Sequence, residues 1–381
     1  MDENNRRINM SKVPEYGKRN VNIEMLRIIS MIFIILGHAM LYGIDAGNIS
    51  GSLYYIYSFL RIISIPFLNV YVIISGYFLV NSGFKIKKIF LFWIQTFFYS
   101  LALYLLISLL TGTQISIKTL LYSSLPISGN RYWFSRVYFG MYILSPFFSV
   151  FLKAMTKRQY KLFLWIITSL FCLWRMIIPF ATTLNSEGGN SIIWFFTLYA
   201  YAGYLRLHFN RNFNYKKLFL LFCASQLVTY IGYLFINFLS NSIGLAGKGS
   251  SIITEYTSIT VLASSLLIFL TALNMDQIKS KKIQNAIYYF SNSSYSVYLI
   301  HENPDVRGLL WSNTLYMLNP YLTMGISLIF SPLLYILCML IDKISWKPIY
   351  NILNKIQWMP VQKKIDNIME NQVNLQTYKH D

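Results

Sequence analysis

Apolar residues in this chain come in long unbroken runs, with little of the alternation or narrow striping that marks a soluble fold. A run of about 20 such residues forms a helix long enough to cross the hydrocarbon of a bilayer. Runs of that kind lie near 22–43, 53–80, 89–110, 133–152, 162–182, 191–206, 217–239, 254–273, 285–301 and 321–341. The pattern predicts an all-α, polytopic integral membrane protein of about ten transmembrane helices. The 53–80 run is long and carries Pro66, which predicts a tilt or a break. The 191–206 run is short for a crossing.

Composition agrees with the pattern. Of 381 residues, 55% are hydrophobic and 12% charged, against roughly 25% charged in soluble domains. Mean hydropathy is +0.45. Aromatic residues make up 17%, which excludes a disordered chain. Cys172, Cys223 and Cys338 all fall inside apolar runs without paired spacing, which argues against a disulfide framework and a zinc site. About twenty polar residues precede the first run, itself too long for a signal-peptide core. That span is expected to act as its own insertion signal.

The net charge of +19 would suggest nucleic acid in a soluble protein. Its distribution points to the positive-inside bias instead, and no nucleic-acid partner is expected. With the amino terminus inside, twenty-five of the 33 lysines and arginines fall in cytoplasmic segments. Lys118, Arg131, Lys248 and Arg307 fall in outer loops, and Arg27, Arg61, Arg136 and Arg175 lie within spans. Both termini are therefore expected in the cytoplasm. The domains predicted are a cytoplasmic segment 1–21, a membrane domain 22–341 and a cytoplasmic tail 342–381. In that tail, 349–358 reads either as an amphipathic helix on the inner leaflet or as a floppy segment.

Ionisable groups inside spans cost about 2.5–3.5 kcal/mol each at the bilayer centre, so they face a cavity or a partner. The first run holds Glu24, Arg27 and His38. Eleven residues separate Arg27 from His38, about three turns plus 20°, so both share one face roughly 16 Å apart. Glu24 lies three residues before Arg27, within ion-pair reach. As a functional stripe, this places a candidate general base, His38, near the outer end. As ordinary structure, it is an interfacial pair and a packing histidine. His301 ends the ninth run, and Glu302, Asp305 and Arg307 follow. An outer cluster of that kind suits a polar acceptor such as a sugar; a polar loop turned by Pro304 is the alternative. Arg61, inside a long span, is expected to need a buried partner. Arg131 and Trp133 open the fourth run, where such residues also serve as interfacial anchors.

Several passages together resemble the acyltransferase-3 family of membrane-bound acyltransferases. Glu24-Met-Leu-Arg27 with His38 is similar to the family's acid-x-x-Arg-x10-His opening. FLNVYVIISGYFLV, with Ser75 and Gly76, resembles its second-span signature. RYWFSRVYFGMYILSPFF and SSYSVYLIHENP resemble its later Trp-Phe…Ser-Pro and Tyr-Leu-x-His stretches. The resemblance runs from about 20 to 341.

The resemblance implies transfer of an acyl group, most often acetyl from cytoplasmic acetyl-CoA, to a hydroxyl of a cell-surface polysaccharide or its lipid-linked oligosaccharide precursor. On that analogy His38 is the catalytic base or a transient acyl carrier, supported by Arg27 and Glu24. The acceptor side is expected to use His301, Glu302, Arg307, Arg61 and Arg131. Where the family often carries Arg-x-x-Arg, this chain has Lys85-Ile-Lys87-Lys88; Lys85 and Lys88 still attract coenzyme phosphates, without the bidentate fork. No metal is expected. The location expected is a bacterial plasma membrane, with membrane lipid around the chain; abundant Asn, Ile and Lys suggest an AT-rich genome.

The competing class is an exporter or flippase of a polysaccharide or glycolipid. Such a transporter typically shows inverted repeats or paired broken helices, and the sequence offers one broken span, at Pro66. Coenzyme binding separates the two classes.

Overall fold

The computed structural model describes residues 19–355 and 364–367, apart from 84, 179–183, 185, 210–211, 245–248 and 316–318. The described residues are helical and contain no strand. In chain order the helices are α1 (Val21–Gly43), α2 (Gly51–Ser64), α3 (Pro66–Leu79), α4 (Ile86–Thr111), α5 (Ile117–Ser124), α6 (Trp133–Ala154), α7 (Lys157–Thr168), α8 (Trp174–Ile177) and α9 (Ile192–Leu207). They continue with α10 (Tyr215–Ser242), α11 (Ser251–Thr254), α12 (Ile259–Asn274), α13 (Lys281–Ser291), α14 (Ser294–His301), α15 (Pro304–Arg307), α16 (Pro320–Ile344) and α17 (Trp346–Lys355).

Among the described residues, eight helices or joined helices are long and apolar enough to cross a membrane. The short run at 191–206 appears as α9, a sixteen-residue helix. The remaining run, 285–301, is not one helix. It divides into α13 and α14 at Asn292–Ser293. Serine and asparagine side chains compete for backbone groups and weaken a helix interior. The break is then held from outside: Arg19 donates to Asn292 Oδ1 at 2.8 Å and to Ser291 Oγ at 3.1 Å. Among the described residues this break adds to the one its sequence suggests at Pro66. The break at Ile65–Pro66 is where the missing proline N–H predicts it.

α1 is the hub, packed against α2, α3, α12, α13, α14 and α16. It opens with Asn20, whose side chain accepts from the Asn22 and Ile23 amides at 3.0 and 3.3 Å, satisfying two donors at the helix start. α9 owes its place to close packing with α3. A Cβ on Gly76 would stand 3.1 Å from both Ala202 Cβ and Tyr199 Cα. Small residues let two backbones approach where lipid supplies no hydrophobic drive. Gly76→Val is expected to cost about 1–3 kcal/mol by overpacking, read as a lower thermal midpoint in detergent. An unchanged midpoint would show that α3 and α9 part without penalty.

The outermost helix, α10, shows the opposite character, exposing Phe219, Leu220, Val228, Ile231, Phe235 and Phe238. Lipid covers such a face. The tail is docked rather than floppy as far as it is described. α17 begins at buried Trp346, which packs on Phe98 of α4 with ring centroids 5.8 Å apart. Residues 356–358 of the expected amphipathic stretch lie outside the described residues, as do most of 1–21 and all of 368–381.

Candidate active site

α1 carries His38 and, one turn further on, Tyr42. The α14 terminus brings His301, and the chain after it adds Glu302 and, from α15, Arg307. His301 is fully buried, with Nδ1 2.6 Å from the Val297 carbonyl oxygen. A carbonyl only accepts, so that nitrogen carries the hydrogen and Nε2 keeps its lone pair. His38 Nδ1 lies 3.1 Å from His301 Nε2 and 3.0 Å from Glu302 Oε2. Facing two acceptors, it must be the protonated nitrogen. The basic nitrogen of neutral His38 is therefore Nε2.

Glu302 is held on its other oxygen. Oε1 accepts from Arg307 Nη1 at 3.0 Å and from the Tyr42 hydroxyl at 3.3 Å. The Arg307 guanidinium also lies over the Tyr42 ring, 4.7 Å from its centroid. Oε2 is buried and makes no hydrogen bond of its own. It sits beside the imidazole as a negative charge, where a positive one would form.

The start of α6 fastens this segment. Tyr132 donates to the Leu299 carbonyl at 3.0 Å and accepts from Asn303 Nδ2 at 2.7 Å. Asn303 Oδ1 caps α15 through the Asp305 and Val306 amides. Arg131 pairs with Asp305. That contact makes Arg131 a residue that positions the 302–307 segment, outside the wall of the cavity below.

His38 lies between two spaces of very different size. On one side a cavity of about 530 Å³ opens, with His38, Tyr42 and Arg61 on its α1–α2 wall. Trp133, Asn190, Tyr256 and the Arg175–Glu255 ion pair complete it, together with Glu187. All these segments lie at helix ends that the predicted topology places on one membrane face. On the other side a crevice of about 20 Å³ runs back along α1 past Ile34 and Met31, walled by Tyr71, Phe134, Tyr295 and Tyr298. Both spaces share His38, Ile34, Leu68 and Trp133.

At the opposite end of α1, Glu24 Oε2 meets Arg27 Nη1 at 2.6 Å, the pair its spacing predicts. Arg19 joins it at 3.1 Å. Lys85 and Lys88 stand exposed at the start of α4 on that same end. Between them, the Ile86 amide donates to Asp366 Oδ1 at 3.0 Å. Arg61 differs from its expectation. It is exposed near the end of α2, and its described hydrogen bond is to the Tyr57 hydroxyl at 3.4 Å.

His38, His301 and Glu302 also form a group of three potential metal ligands within 4.8 Å of one another. Ligands of a tetrahedral zinc ion stand about 3.3 Å apart. The 3.1 Å contact between the histidines is a hydrogen-bond spacing that the tautomers above account for, and the 3.0 Å approach of Glu302 Oε2 is a charge contact. Outside this cluster, His208 packs edge-on against Tyr160. Burial, then the Lys157 charge, hold it below its usual pKa, as suits a neutral packing residue.

Sequence reasoning did not single out Tyr42, Tyr132, Asn303, Arg175, Glu187, Glu255 or Tyr256. Tyr42 was within reach, four residues after His38 on the same helical face. Arg175, an arginine within a span, carried the same signal as Arg61, and the others come from helix ends and connections without a periodic signal.

Neither the curated proteins nor the solved structures return a match. A family model described as an acyltransferase domain matches residues 20–343. The chain thus belongs to the acyltransferase-3 family and is a multi-pass membrane acyltransferase, moving an acyl group to an acceptor.

Proposed function

We propose that the donor is acyl-CoA, acetyl-CoA foremost, and that the acceptor is a hydroxyl of a surface polysaccharide or its lipid-linked precursor, at a bacterial plasma membrane. One observation carries this reading: His38 stands where a wide polar cavity meets a narrow aromatic crevice. The cavity has the aromatic faces and polar groups that sugars use, Trp133 and Tyr256 with Asn190 and Glu187. The crevice suits a thin apolar arm. Coenzyme phosphates stay at the Arg27 end, attracted by Lys85 and Lys88 as point charges. The pantetheine arm enters along α1 once the Tyr71 and Tyr298 side chains give way, because a space of about 20 Å³ holds little more than one water.

The chemistry follows from the tautomer. His38 Nε2 takes the proton of the acceptor hydroxyl as its oxygen attacks the thioester carbonyl carbon. Glu302 Oε2, 3.0 Å from Nδ1, stabilises the imidazolium that forms. The tetrahedral intermediate collapses, the carbon–sulfur bond breaks, and His38 returns the proton to the CoA thiolate. The products are an O-acyl ester and free CoA.

The test is incubation of purified, detergent-solubilised protein with radiolabelled acetyl-CoA and extracted surface glycan as acceptor, following CoA release, label moved to the glycan and label kept on the protein. Binding with CoA release is expected. Label retained on the protein would replace direct transfer by an acyl-histidine step. Absence of acetyl-CoA binding would overturn the donor and bring forward export of a glycolipid, a reading to which the second broken span at Asn292–Ser293 lends its one structural argument.

A further inference from the structure

The charges around the cavity are nearly all paired. Arg175 is paired with Glu255, Arg131 with Asp305 and Arg307 with Glu302. At the far end of α1, Arg19 and Arg27 share Glu24. Among the cations, Arg61 is the exception. It lines the cavity, yet no carboxylate among the described residues lies within 4.0 Å of it, and its tyrosine contact is at the long limit of a hydrogen bond. Exposed to the cavity, its guanidinium keeps its donors free for an anion that enters there. From these observations we infer that the acceptor carries an anionic group, a carboxylate or a phosphate, close to the hydroxyl that is acylated, and that Arg61 receives it. The inference rests on the acceptor occupying this cavity, as proposed above.

Geometry places Arg61 at the right range. α1 and α2 meet at Gly37, where a Cβ would stand 3.3 Å from Ser64 Cβ. His38 follows Gly37 directly. Arg61 precedes Ser64 by three residues, about 4.5 Å along α2. His38 and Arg61 both line the same cavity, on the walls that α1 and α2 bring together. The planar fork of arginine matches a carboxylate or phosphate with two parallel hydrogen bonds.

Glu187 is the cavity's other charge with no ion-pair partner within 4.0 Å among the described residues, and it does not neutralise Arg61. Its turn is pinned. The Tyr256 amide donates to the Gly188 carbonyl at 3.1 Å. Gly189 has φ +105°, and a Cβ there would stand 2.4 Å from Tyr256 Cβ. The carboxylate thus stays available to sugar hydroxyls while Arg61 stays available to the anion.

The test measures binding of small probes to the full-length protein in nanodiscs by intrinsic tryptophan fluorescence, with Trp133→Phe to identify the cavity signal. The probes are glucose, glucuronate and glucose 1-phosphate. At least one anionic sugar is expected to bind about tenfold or more tightly than glucose. That preference should disappear in Arg61→Gln, survive in part in Arg61→Lys, which keeps charge without the fork, and weaken with added salt. Preference for glucuronate indicates an acidic sugar, and preference for glucose 1-phosphate a phosphate-bearing one. Equal binding of charged and neutral probes, including no measurable binding of any, overturns the inference, as does a preference that persists in Arg61→Gln. Acetyl-CoA turnover measured on the same preparation separates the two proposals. Turnover without anion preference removes only the role of Arg61, and preference without acetyl-CoA binding removes the donor.

Discussion

His38→Ala is expected to lower acyl transfer by about two to four orders of magnitude, the usual contribution of a positioned general base. The expectation rests on the hydrogen-bond chain from Val297 through His301 to His38. That chain commits Nδ1 to donation and leaves Nε2 as the base. His38 is also the residue common to the polar cavity and the aromatic crevice that bears a titratable group suited to taking a proton near neutrality. Removing it leaves both spaces and takes away the group that joins them chemically. Rates of CoA release in the variant, with elution profile and thermal midpoint compared to confirm folding, decide the matter. A folded His38→Ala protein with full activity would sink the assignment. A loss matched by a collapsed elution profile would call for His38→Gln, which keeps a polar side chain of similar reach but cannot accept and return a proton as an imidazole does.

Much of this arrangement is legible in the sequence, and the part that is not has a physical reason. A helix in lipid must be apolar over about 20 residues, so long runs are unmistakable, and the expected runs are mainly helical over their described residues. Proline lacks a donor, so the break before Pro66 is a local property. The break at Asn292–Ser293 is not local in the same sense, because Arg19, from the residues before α1, completes it. The Glu24–Arg27–His38 stripe follows from helical period alone. Its partner set does not. Glu302 and Arg307 reach His38 and Tyr42 only because Tyr132, Asn303 and Arg131 tie the 299–305 segment in place. Arg61 shows the limit of reading by span. Within a long apolar run it suggests a buried ion pair, whereas α2 ends at Ile65–Pro66 and leaves Arg61 facing the cavity.

Glu302→Gln is the sharper test of how the base is made to work, with an expected loss of about two to three orders of magnitude in kcat, the scale on which a preorganised electrostatic group acts. Glutamine keeps the shape of the side chain and can still accept from Arg307 and Tyr42 at the Oε1 position. It removes the negative charge 3.0 Å from His38 Nδ1. In the resting enzyme His38 is neutral, and that charge is answered on one side only, by Arg307. When His38 takes the acceptor proton, Oε2 gains its missing counterpart, so the interaction strengthens as the reaction proceeds. Interactions stronger in the transition state than in the ground state raise kcat rather than lower KM. The loss should therefore appear in kcat with KM for the donor little changed. Tyr42→Phe, which removes one hydrogen bond to the opposite oxygen, should show a smaller loss of the same kind. A Glu302→Gln enzyme with undiminished kcat would mean that His301 alone orients His38 and that the carboxylate serves only to anchor Arg307. A rise in KM at constant kcat would move Glu302 from the chemistry to acceptor binding.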